Sequence, residues 1–498
     1  MFDFQVESPI ANSPFLAPQR HWQIEEGTPP VLAQERRKPV YFYRPPSYEV
    51  SKEGMDEDVG YQIELLLVSR IRSRLAEWRA AGYPGASKIT LELLAYWERE
   101  GREKRLFFAQ MEAAQTVIFL TEARADFLQG IHIPTDEPSD KQKAEGIQAF
   151  QRYACKMATG SGKTTVMGML AAWSILNRQA GGHDRSRARL FSNTVVVVCP
   201  NVTIRSRLAE LDPARGEASL YRSRDLVPAH LMGSLSQGRV LVMNWHVFAL
   251  RDANKVAGTA SKVVRTGREI NLMESIRIGD KTTTARGTRY LSLPDYRAQV
   301  AAGLLEVLKE EFDASGSLVR AQVASTCYVE SDAAWLERVL GIKAGRRANV
   351  LVLNDEAHHA YRIRSEEPDE FEEADDEGFE EYYKEATVWV EGLDRMHKQV
   401  GINACLDFSA TPYFLGRVGE QANRPFPWVV SSFDLMEAIE SGLTKIPQFA
   451  VRDMSGQSIP GYFNIWRWIL PQLKASERGG KKSAAKPEAI LRYAYTPI

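Results

Sequence analysis

Five short apolar runs dominate the middle of the chain, and polar residues end or directly follow each of them. Continuous runs of β-branched and aliphatic side chains are typical of strands buried on both faces. Helical segments lie between the runs, so the pattern predicts βαβ units and an α/β fold built on a parallel sheet. The runs are RYACKMA (152–158), NTVVVVCP (193–200), GRVLVMNW (238–245), ANVLVLNDE (348–356) and INACLDFSAT (402–411).

The chain before the first run has a different pattern. Its first 50 residues hold 8 of the 24 prolines, interleaved with aromatic residues. This composition predicts an N-terminal arm, residues 1–60, that is either extended and docked or partly ordered. Apolar positions then recur at helical spacing from Tyr61 to Trp78 and from Thr90 to Glu122, so residues 61–148 form a predicted helical region.

The other boundaries follow from the spacing of the runs. The lobe that carries the sheet is predicted to span residues 149–447. Residues 251–347 are long for a connection between neighbouring strands, and we interpret them as an insertion with its own helices, one of them near 298–312. Residues 448–498 include a small, polar stretch and are predicted to be a linker or the start of a further lobe.

Composition narrows the class of protein. The 498 residues are 44% hydrophobic and 26% charged, which is ordinary for a globular chain. No apolar run approaches the roughly 18 residues that span a bilayer, and the first ten residues lack the pattern of a secretory signal. We therefore expect a cytoplasmic protein with no membrane partner. The four cysteines are far apart and suggest neither a disulfide framework nor a zinc site.

Charge is distributed unevenly. The segment Glu366 to Glu381 holds 11 acidic and no basic residues, and without it the net charge of −1 becomes +10. The basic clusters elsewhere could follow a phosphate backbone, or they could be solvated helix faces. The acidic segment could be a flexible loop, or it could cover a nucleic-acid groove before DNA arrives.

The stretch MATGSGKTT (157–165) has the composition of a loop that holds phosphates. Two glycines allow backbone N–H groups to turn toward a phosphate, and the helix beginning near Lys163 offers its positive end. Lys163 would reach the β and γ phosphates of a nucleotide, and the Thr164 hydroxyl would ligate Mg²⁺. Met157 stands where the strict pattern has glycine. The predicted nucleotide contacts are Thr159, Gly160, Ser161, Gly162, Lys163, Thr164 and Thr165.

The sequence LNDEAHH (353–359) places two carboxylates at the end of a predicted strand. Asp355 would hold Mg²⁺, directly or through water, and Glu356 would act as the general base on an attacking water. His358 could report the nucleotide state to a neighbouring element. Alternatively, the two carboxylates cap a helix. The spacing HExxH is missing, which disfavours a zinc site.

The order of these motifs resembles that of the superfamily 2 helicases and translocases. A nucleotide loop is followed by VVVCPNVTIRSRL (196–208), VMNWHVF (242–248), a DEAH box and the SAT triplet of DFSATPYF (407–414). A closer resemblance is to the motor (Res) subunit of type III restriction enzymes, carried by RLFFAQMEAAQTVIFLTEA (105–123), NDEAHHAYR (354–362) and FDLMEAIESGLTKIP (433–447). It covers most of the chain from about residue 91 to 447. It implies a RecA-like parallel sheet flanked by helices, that is, a P-loop NTPase lobe preceded by a helical region.

The resemblance also implies roles for particular residues. Gln110 falls on the glutamine that reads adenine, with Phe107 or Phe108 as an apolar platform. ATP and Mg²⁺ are the implied cofactors, and duplex DNA is the implied partner, with RNA as an alternative. The residues implied in DNA contact, or in coupling ATP hydrolysis to movement on the nucleic acid, are Asn201, Thr203, Arg205, Asn244, His246, Ser409 and Thr411.

Motors of this class work with a second lobe that supplies an arginine finger. The 85 residues after Tyr413 contain no QxxGRxxR-like stretch, and we find no nuclease constellation in the chain. We therefore expect a first lobe that binds ATP and Mg²⁺ but hydrolyses ATP weakly unless a second-lobe, nuclease or modification subunit completes it. The alternative is a nucleotide-binding regulatory or scaffold protein without motor activity.

Overall fold

The computed structural model describes residues 8–24, 28–43, 61–181, 189–251, 268–279, 289–302, 305–313, 316–343, 345, 348–362, 377–414, 423–445 and 473–474. The chain divides into two compact units, Met1–Thr444 and Lys445–Ile498. Of the second unit, only 445 and 473–474 are described, so the predicted linker 448–498 lies almost wholly outside the described residues. The first part of the acidic segment, 366–376, lies outside them as well.

Strands and helices make up much of the described part of the first unit. The strands are β1 (His21–Gln23), β2 (Val31–Ala33), β3 (Val40–Tyr43), β4 (Tyr61–Glu64), β5 (Arg152–Met157), β6 (Thr194–Cys199), β7 (Arg239–Asn244), β8 (Arg268–Ile278), β9 (Arg289–Leu291), β10 (Glu306–Phe312), β11 (Leu318–Val329), β12 (Val350–Asp355), β13 (Ile402–Ser409) and β14 (Val429–Phe433). The α-helices are α1 (Leu66–Ala80), α2 (Lys88–Glu98), α3 (Phe108–Glu122), α4 (Asp140–Ala144), α5 (Lys163–Ala180), α6 (Val202–Leu208), α7 (Leu220–Ser223), α8 (Met232–Leu235), α9 (Leu293–Ala301), α10 (Asp332–Leu340), α11 (Glu377–Val400) and α12 (Leu435–Glu440).

A six-stranded sheet forms the centre of the unit. Its strand order is β14-β5-β13-β12-β6-β7, and every neighbouring pair is parallel. The five strands predicted from the apolar runs are confirmed, and the fold is α/β with helices flanking a parallel sheet. Strand β14, which occupies one edge of the sheet beside β5, has no counterpart among the predicted strands.

Both faces of the sheet are covered, as the unbroken apolar runs predicted. Val195 and Val197 of β6 belong to a core that includes α3 and α5. Val196 and Val198 point to the opposite face, into a core built with Trp335 of α10 and Trp389 of α11. Alternate residues of one strand therefore serve two separate hydrophobic cores, which explains why both sets of positions are apolar.

The helical region before the sheet differs in detail from the prediction. The first four residues of the stretch 61–78 form β4, which pairs antiparallel with β3, and α1 begins only at Leu66. The stretch of predicted helical spacing from Thr90 to Glu122 contains two helices, α2 and α3, separated by residues 99–107. Gly101, with φ of +71°, lies in this break. The chain leaves the helical conformation at Arg99 (φ −57°, ψ 142°), and Gly101 supplies the left-handed residue of the turn that follows, a conformation that glycine adopts without a steric penalty.

The described part of the insertion contains helices of its own, α9 and α10, as predicted, but most of it is a sheet, and the helix expected near 298–312 is wrong. A helix ends at Ala301, and Glu306–Phe312 is strand β10. The described part of the insertion forms a four-stranded sheet with the order β10-β11-β8-β9, in which β11 is antiparallel to both β10 and β8. The sequence EVLKEEF is rich in helix formers, but pairing with β11 outweighs this local preference.

A buried arginine joins several elements across the sheet. Arg152, the first residue of β5, is completely buried and donates to Asp407 of β13 (Nε to Oδ2, 2.9 Å) and to Asp136 (2.9 Å). It also donates to the carbonyl oxygen of Ala360 (2.6 Å). Asp407 in turn accepts from Trp428 Nε1 (2.9 Å). The guanidinium therefore ties the sheet to the chain that follows β12.

In the described part of the chain, no helix is both long enough and apolar enough to cross a membrane.

We predict that Arg152→Met destabilises the fold strongly. The substitution leaves the carboxylates of Asp407 and Asp136 buried without their cation, which costs roughly 3–5 kcal/mol. Urea unfolding followed by circular dichroism measures the loss. Arg124→Met is the matched control and should have little effect, because Arg124 pairs with Asp126 at 2.8 Å where both side chains are more than half exposed. Equal costs for the two variants would contradict the structural role of Arg152.

Candidate active site

The loop 158–162 connects β5 to α5 in a tight turn. The amide of Ala158 donates to the carbonyl of Phe433 in the neighbouring strand (2.9 Å), and the Ser161 hydroxyl donates to the carbonyl of Ala158 (2.6 Å). Gly160 and Gly162 have φ of +87° and +91°. Because α5 begins at Lys163, the loop lies at a helix N-terminus, where the first backbone N–H groups have no partner within the helix. Such an end attracts anions.

Lys163 meets the end of β12 directly. Its Nζ donates to Glu356 Oε1, joining residues 193 apart in sequence. Glu356 has φ of +51°, a left-handed conformation that is unfavourable for a residue with a side chain. Strain of this kind costs on the order of 1–3 kcal/mol and is concentrated at functional sites. The turn directs the Glu356 carboxylate toward the loop.

The neighbouring carboxylate has a different environment. Asp355 is 7% exposed, and its Oδ1 atom has no hydrogen-bond partner among the described residues. Burial, together with the charge of Glu356 and against the opposing charge of Lys163, raises the pKa of Asp355 to about 6. A buried carboxylate oxygen without a hydrogen bond has the chemistry of a cation ligand, since oxygen ligands are those that Mg²⁺ prefers.

A hydrogen bond connects the chain that follows β12 to the end of β13. His358 Nδ1 lies 2.9 Å from Ser409 Oγ, and the Thr411 amide donates to the same Oγ (3.0 Å). Burial, assisted by the neighbouring His359 and opposed by Glu356, lowers the pKa of His358 to about 4. The imidazole is therefore neutral near pH 7. The structure thus brings His358 together with two predicted residues that are about 50 positions away.

Gln110 also lies at the loop. A Cβ atom built on Gly162 would be 2.0 Å from Gln110 Nε2, so the carboxamide of Gln110 packs directly against the glycine. Its Oε1 accepts from the amide of Phe107 at the start of α3 (2.9 Å). The carboxamide is thus held at the loop by its own helix.

The predicted nucleic-acid residues that precede the DEAH box lie at the ends of β6 and β7. Asn201 caps α6 by accepting from Ile204 N (2.9 Å), and Thr203 and Arg205 are exposed on that helix. Asn244 is buried, donating to Pro200 O (2.8 Å) and accepting from His246 N (2.9 Å). Its carboxamide therefore has a structural role, whereas His246 remains exposed.

The segment after α12 also reaches the loop, although no role was predicted for its residues. Thr444 Oγ1 donates to the carbonyl of Thr159 (3.0 Å), and a Cβ atom on Gly160 would be 3.4 Å from Leu443 O. This segment therefore covers one side of the loop. Nothing in the local sequence SGLTKIP marks Thr444 as a residue that contacts the loop, so the contact is found only in the folded structure.

Comparisons with protein-family models, with curated proteins and with solved structures give no match for this chain.

We predict that Asp355→Asn stabilises the protein in a pH-dependent way. The folded state raises the pKa of this acid from 3.8 to about 6, so it binds the proton more tightly than the unfolded chain does. The resulting stability is present below pH 3.8 and is lost as the pH rises to about 6. Above pH 6 the variant should exceed the wild type by up to about 3 kcal/mol.

Urea unfolding at several pH values between about 5 and 8 tests this expectation. The advantage of Asp355→Asn should grow as the pH approaches about 6 and then level off. Asp140→Asn, which changes an exposed aspartate, is the control and should give a much smaller change. A difference between Asp355→Asn and wild type that does not vary with pH would contradict the burial of an ionised Asp355.

Proposed function

We propose that the chain binds ATP with Mg²⁺ at this edge of the sheet and is a DNA-dependent ATPase. In this proposal it is the RecA-like, P-loop motor lobe of a type III-like restriction or defence enzyme. The observation that carries the proposal is the ion pair between Lys163 and Glu356, with the unpartnered Asp355 carboxylate oxygen beside it. A phosphate-type loop and an acidic strand end, 193 residues apart in sequence, thus meet at one point.

The donor set fits a magnesium nucleotide. Asp355 and the hydroxyl of Thr164, which is the second residue of α5, would hold the metal ion, while waters and phosphate oxygens would supply the other ligands. When bound, Mg²⁺ neutralises charge on the phosphates. The backbone N–H groups at the start of α5 would bind phosphate oxygens.

Lys163 and Glu356 have linked roles in this proposal. The phosphates compete with Glu356 for the Lys163 ammonium group. Once Lys163 binds phosphate, the Glu356 carboxylate is released to orient a water molecule and to accept its proton. The ion pair therefore keeps the base occupied until a nucleotide arrives.

The contact between His358 and Ser409 supports coupling to a second ligand. His358 is two residues from the proposed base, and Ser409 begins the SAT triplet at the end of the next strand. A displacement of Glu356 would therefore be transmitted to the turn at Thr411, which is exposed at the same edge. By its resemblance to the helicases, this triplet would couple ATP hydrolysis to movement on the nucleic acid.

We predict that Gly162→Ala abolishes ATP binding. The new methyl group would overlap Gln110 Nε2, and φ of +91° disfavours alanine. Gly82→Ala is a matched control, because Gly82 also has a positive φ, +78°, but a Cβ atom there would have nothing within 4 Å. Titration with a fluorescent ATP analogue should give no saturable binding for Gly162→Ala and wild-type affinity for Gly82→Ala. Loss of binding in both variants would indicate a general effect of backbone strain.

We predict that two variants separate ATP binding from turnover. Lys163→Ala should lose affinity for MgATP, whereas Glu356→Gln should bind MgATP and hydrolyse none, because it lacks the base. Phosphate release is measured with and without duplex DNA. Turnover by the chain alone is expected to be slow, since an arginine supplied by another lobe or chain is worth about 10³–10⁵ in rate.

The effect of DNA on turnover distinguishes the alternatives. A rise with duplex DNA that is absent in Glu356→Gln supports a motor lobe. Binding of MgATP with no response to DNA would instead support a regulatory or scaffold protein. Equal stimulation by matched RNA and DNA duplexes at one salt concentration would contradict a preference for DNA.

A further inference from the structure

The segment after α12 fixes the orientation of one peptide group in the 158–162 loop. Thr444 Oγ1 donates to the carbonyl of Thr159 (3.0 Å), and a Cβ atom built on Gly160 would be 3.6 Å from the same hydroxyl oxygen. Because a peptide group is planar and almost always trans, its N–H points away from its carbonyl oxygen. The hydrogen bond from Thr444 therefore also directs the N–H of Gly160, which points away from Thr444.

The N–H of Gly160 is available for a ligand. Among the described residues it has no backbone acceptor, and the N–H groups at the start of α5 have none within their helix. Backbone N–H groups that converge in a glycine-rich loop and a helix N-terminus bind anionic oxygen atoms. The carbonyl oxygen of Thr159 would repel such an anion, but it is engaged by Thr444 instead.

The position of Thr444 is set by the way in which α12 ends. The amides of Leu443 and Thr444 both donate to the carbonyl of Ala438 (2.8 and 3.3 Å). The amide of Gly442 donates to the carbonyl of Ile439 (2.9 Å), and Gly442 has φ of +70°, the left-handed conformation with which helices commonly end. These bonds fix the direction of the chain after α12, so Thr444 follows the end of the helix.

The N-terminal arm holds this end of α12 through its backbone and its charges. The amides of Ala11 and Asn12 donate to the carbonyl of Glu440 (2.8 and 2.9 Å). The carboxylate of Glu440, which is 2% exposed, accepts from the Trp22 amide (2.9 Å) and from Arg37 (2.6 Å). A buried carboxylate needs such donors, since it has lost its contact with water. The arm therefore determines where α12 ends in space.

A second arginine of the arm connects α12 to α3. Arg36 Nε donates to Glu437 of α12 (2.8 Å), and its two Nη atoms donate to the carboxylate of Glu112 in α3 (2.6 and 2.8 Å). Burial alone would raise the pKa of Glu112, but Arg36, with Arg72 and Arg79, brings it down to about 2. The pair is therefore ionised near pH 7, and paired hydrogen bonds between charged groups fix its geometry. Two arginines of the arm thus hold α12.

From these contacts we infer that Thr444 is a positioning residue of the phosphate site and that the arm acts on the site through it. This inference rests on the proposed nucleotide site. Thr444 keeps the carbonyl of Thr159 away from the phosphates and leaves the N–H of Gly160 free to bind them. Without the hydroxyl group the peptide between Thr159 and Gly160 can rotate, because glycine allows a wide range of backbone angles. The loop then offers the phosphates one donor fewer.

Calorimetric titration of the full chain with two ligands tests this role. The ligands are the imido analogue of MgATP and magnesium tripolyphosphate, which has no base and no sugar. Thr444→Val keeps the shape of the side chain but removes its hydroxyl group. It should raise both Kd values by the same factor, roughly tenfold, which is about the value of one hydrogen bond to a charged group. Thr444→Ser keeps the hydroxyl group and should bind both ligands almost as tightly as the wild type.

Thr121→Val is the matched control. The Thr121 hydroxyl also donates to a backbone carbonyl, that of Val117 (2.8 Å), but it lies in the last turn of α3. Its loss should leave both Kd values unchanged. Arg37→Met tests the arm, because it removes one of the donors to Glu440 and leaves the loop itself intact. It should raise both Kd values by a smaller factor than Thr444→Val does, since the backbone bonds to Glu440 remain.

The possible outcomes separate the inference from the proposed function. A wild-type chain that binds neither ligand would overturn the proposed function itself. Three results would overturn only the role of Thr444: wild-type affinities in a folded Thr444→Val variant, a rise in Kd for the nucleotide analogue alone, or equal losses in Thr444→Val and Thr444→Ser. Wild-type affinities in a folded Arg37→Met variant would overturn the part assigned to the arm. Circular dichroism establishes that each variant is folded.

Discussion

The structure depends most on a single buried cation. Arg152 has no exposed surface, and removing a guanidinium from water costs several kcal/mol unless anions and acceptors surround it. Asp407 and Asp136 supply the charges, and the carbonyl of Ala360 supplies a further acceptor. Because each of these groups comes from a different segment, the requirement to neutralise one charge fixes the segments relative to one another. The hydrophobic cores on either face of the sheet impose no such specific pairing.

This constraint also explains how a strained turn persists at the candidate site. Glu356 has a left-handed backbone, and the chain then returns over the sheet. It is held there at Ala360 by Arg152, and two residues later by Arg362, which pairs with Asp394 of α11. Two buried arginines thus anchor the chain immediately after the turn. The strain at Glu356 is maintained by these anchors, and it orients the carboxylate toward Lys163.

Those parts of the fold whose pattern is local can be predicted from the sequence. The five apolar runs identify five strands because burial on both faces requires an unbroken run of apolar residues. Val429–Phe433 was not predicted, since two serines interrupt it, although all five residues are buried. The strand Glu306–Phe312 resembles a helix locally, and only its pairing with Leu318–Val329 makes it a strand. Strands of these two kinds depend on tertiary context, which a local pattern does not contain.

The residues around the candidate site also fall into those that a local sequence pattern identifies and those that it does not. Lys163, Asp355 and Glu356 are recognisable because short motifs at strand ends carry them. Arg36 and Glu112 are not, because an ion pair between residues 76 positions apart leaves no periodic trace. The residues in short motifs and those in long-range ion pairs nevertheless belong to one structure. Lys163, which is held by Glu356, and Gln110, which lies beside Gly162, both need rigid surroundings. Buried charge pairs provide that rigidity more specifically than apolar packing does, because each buried charge requires one particular partner in one place.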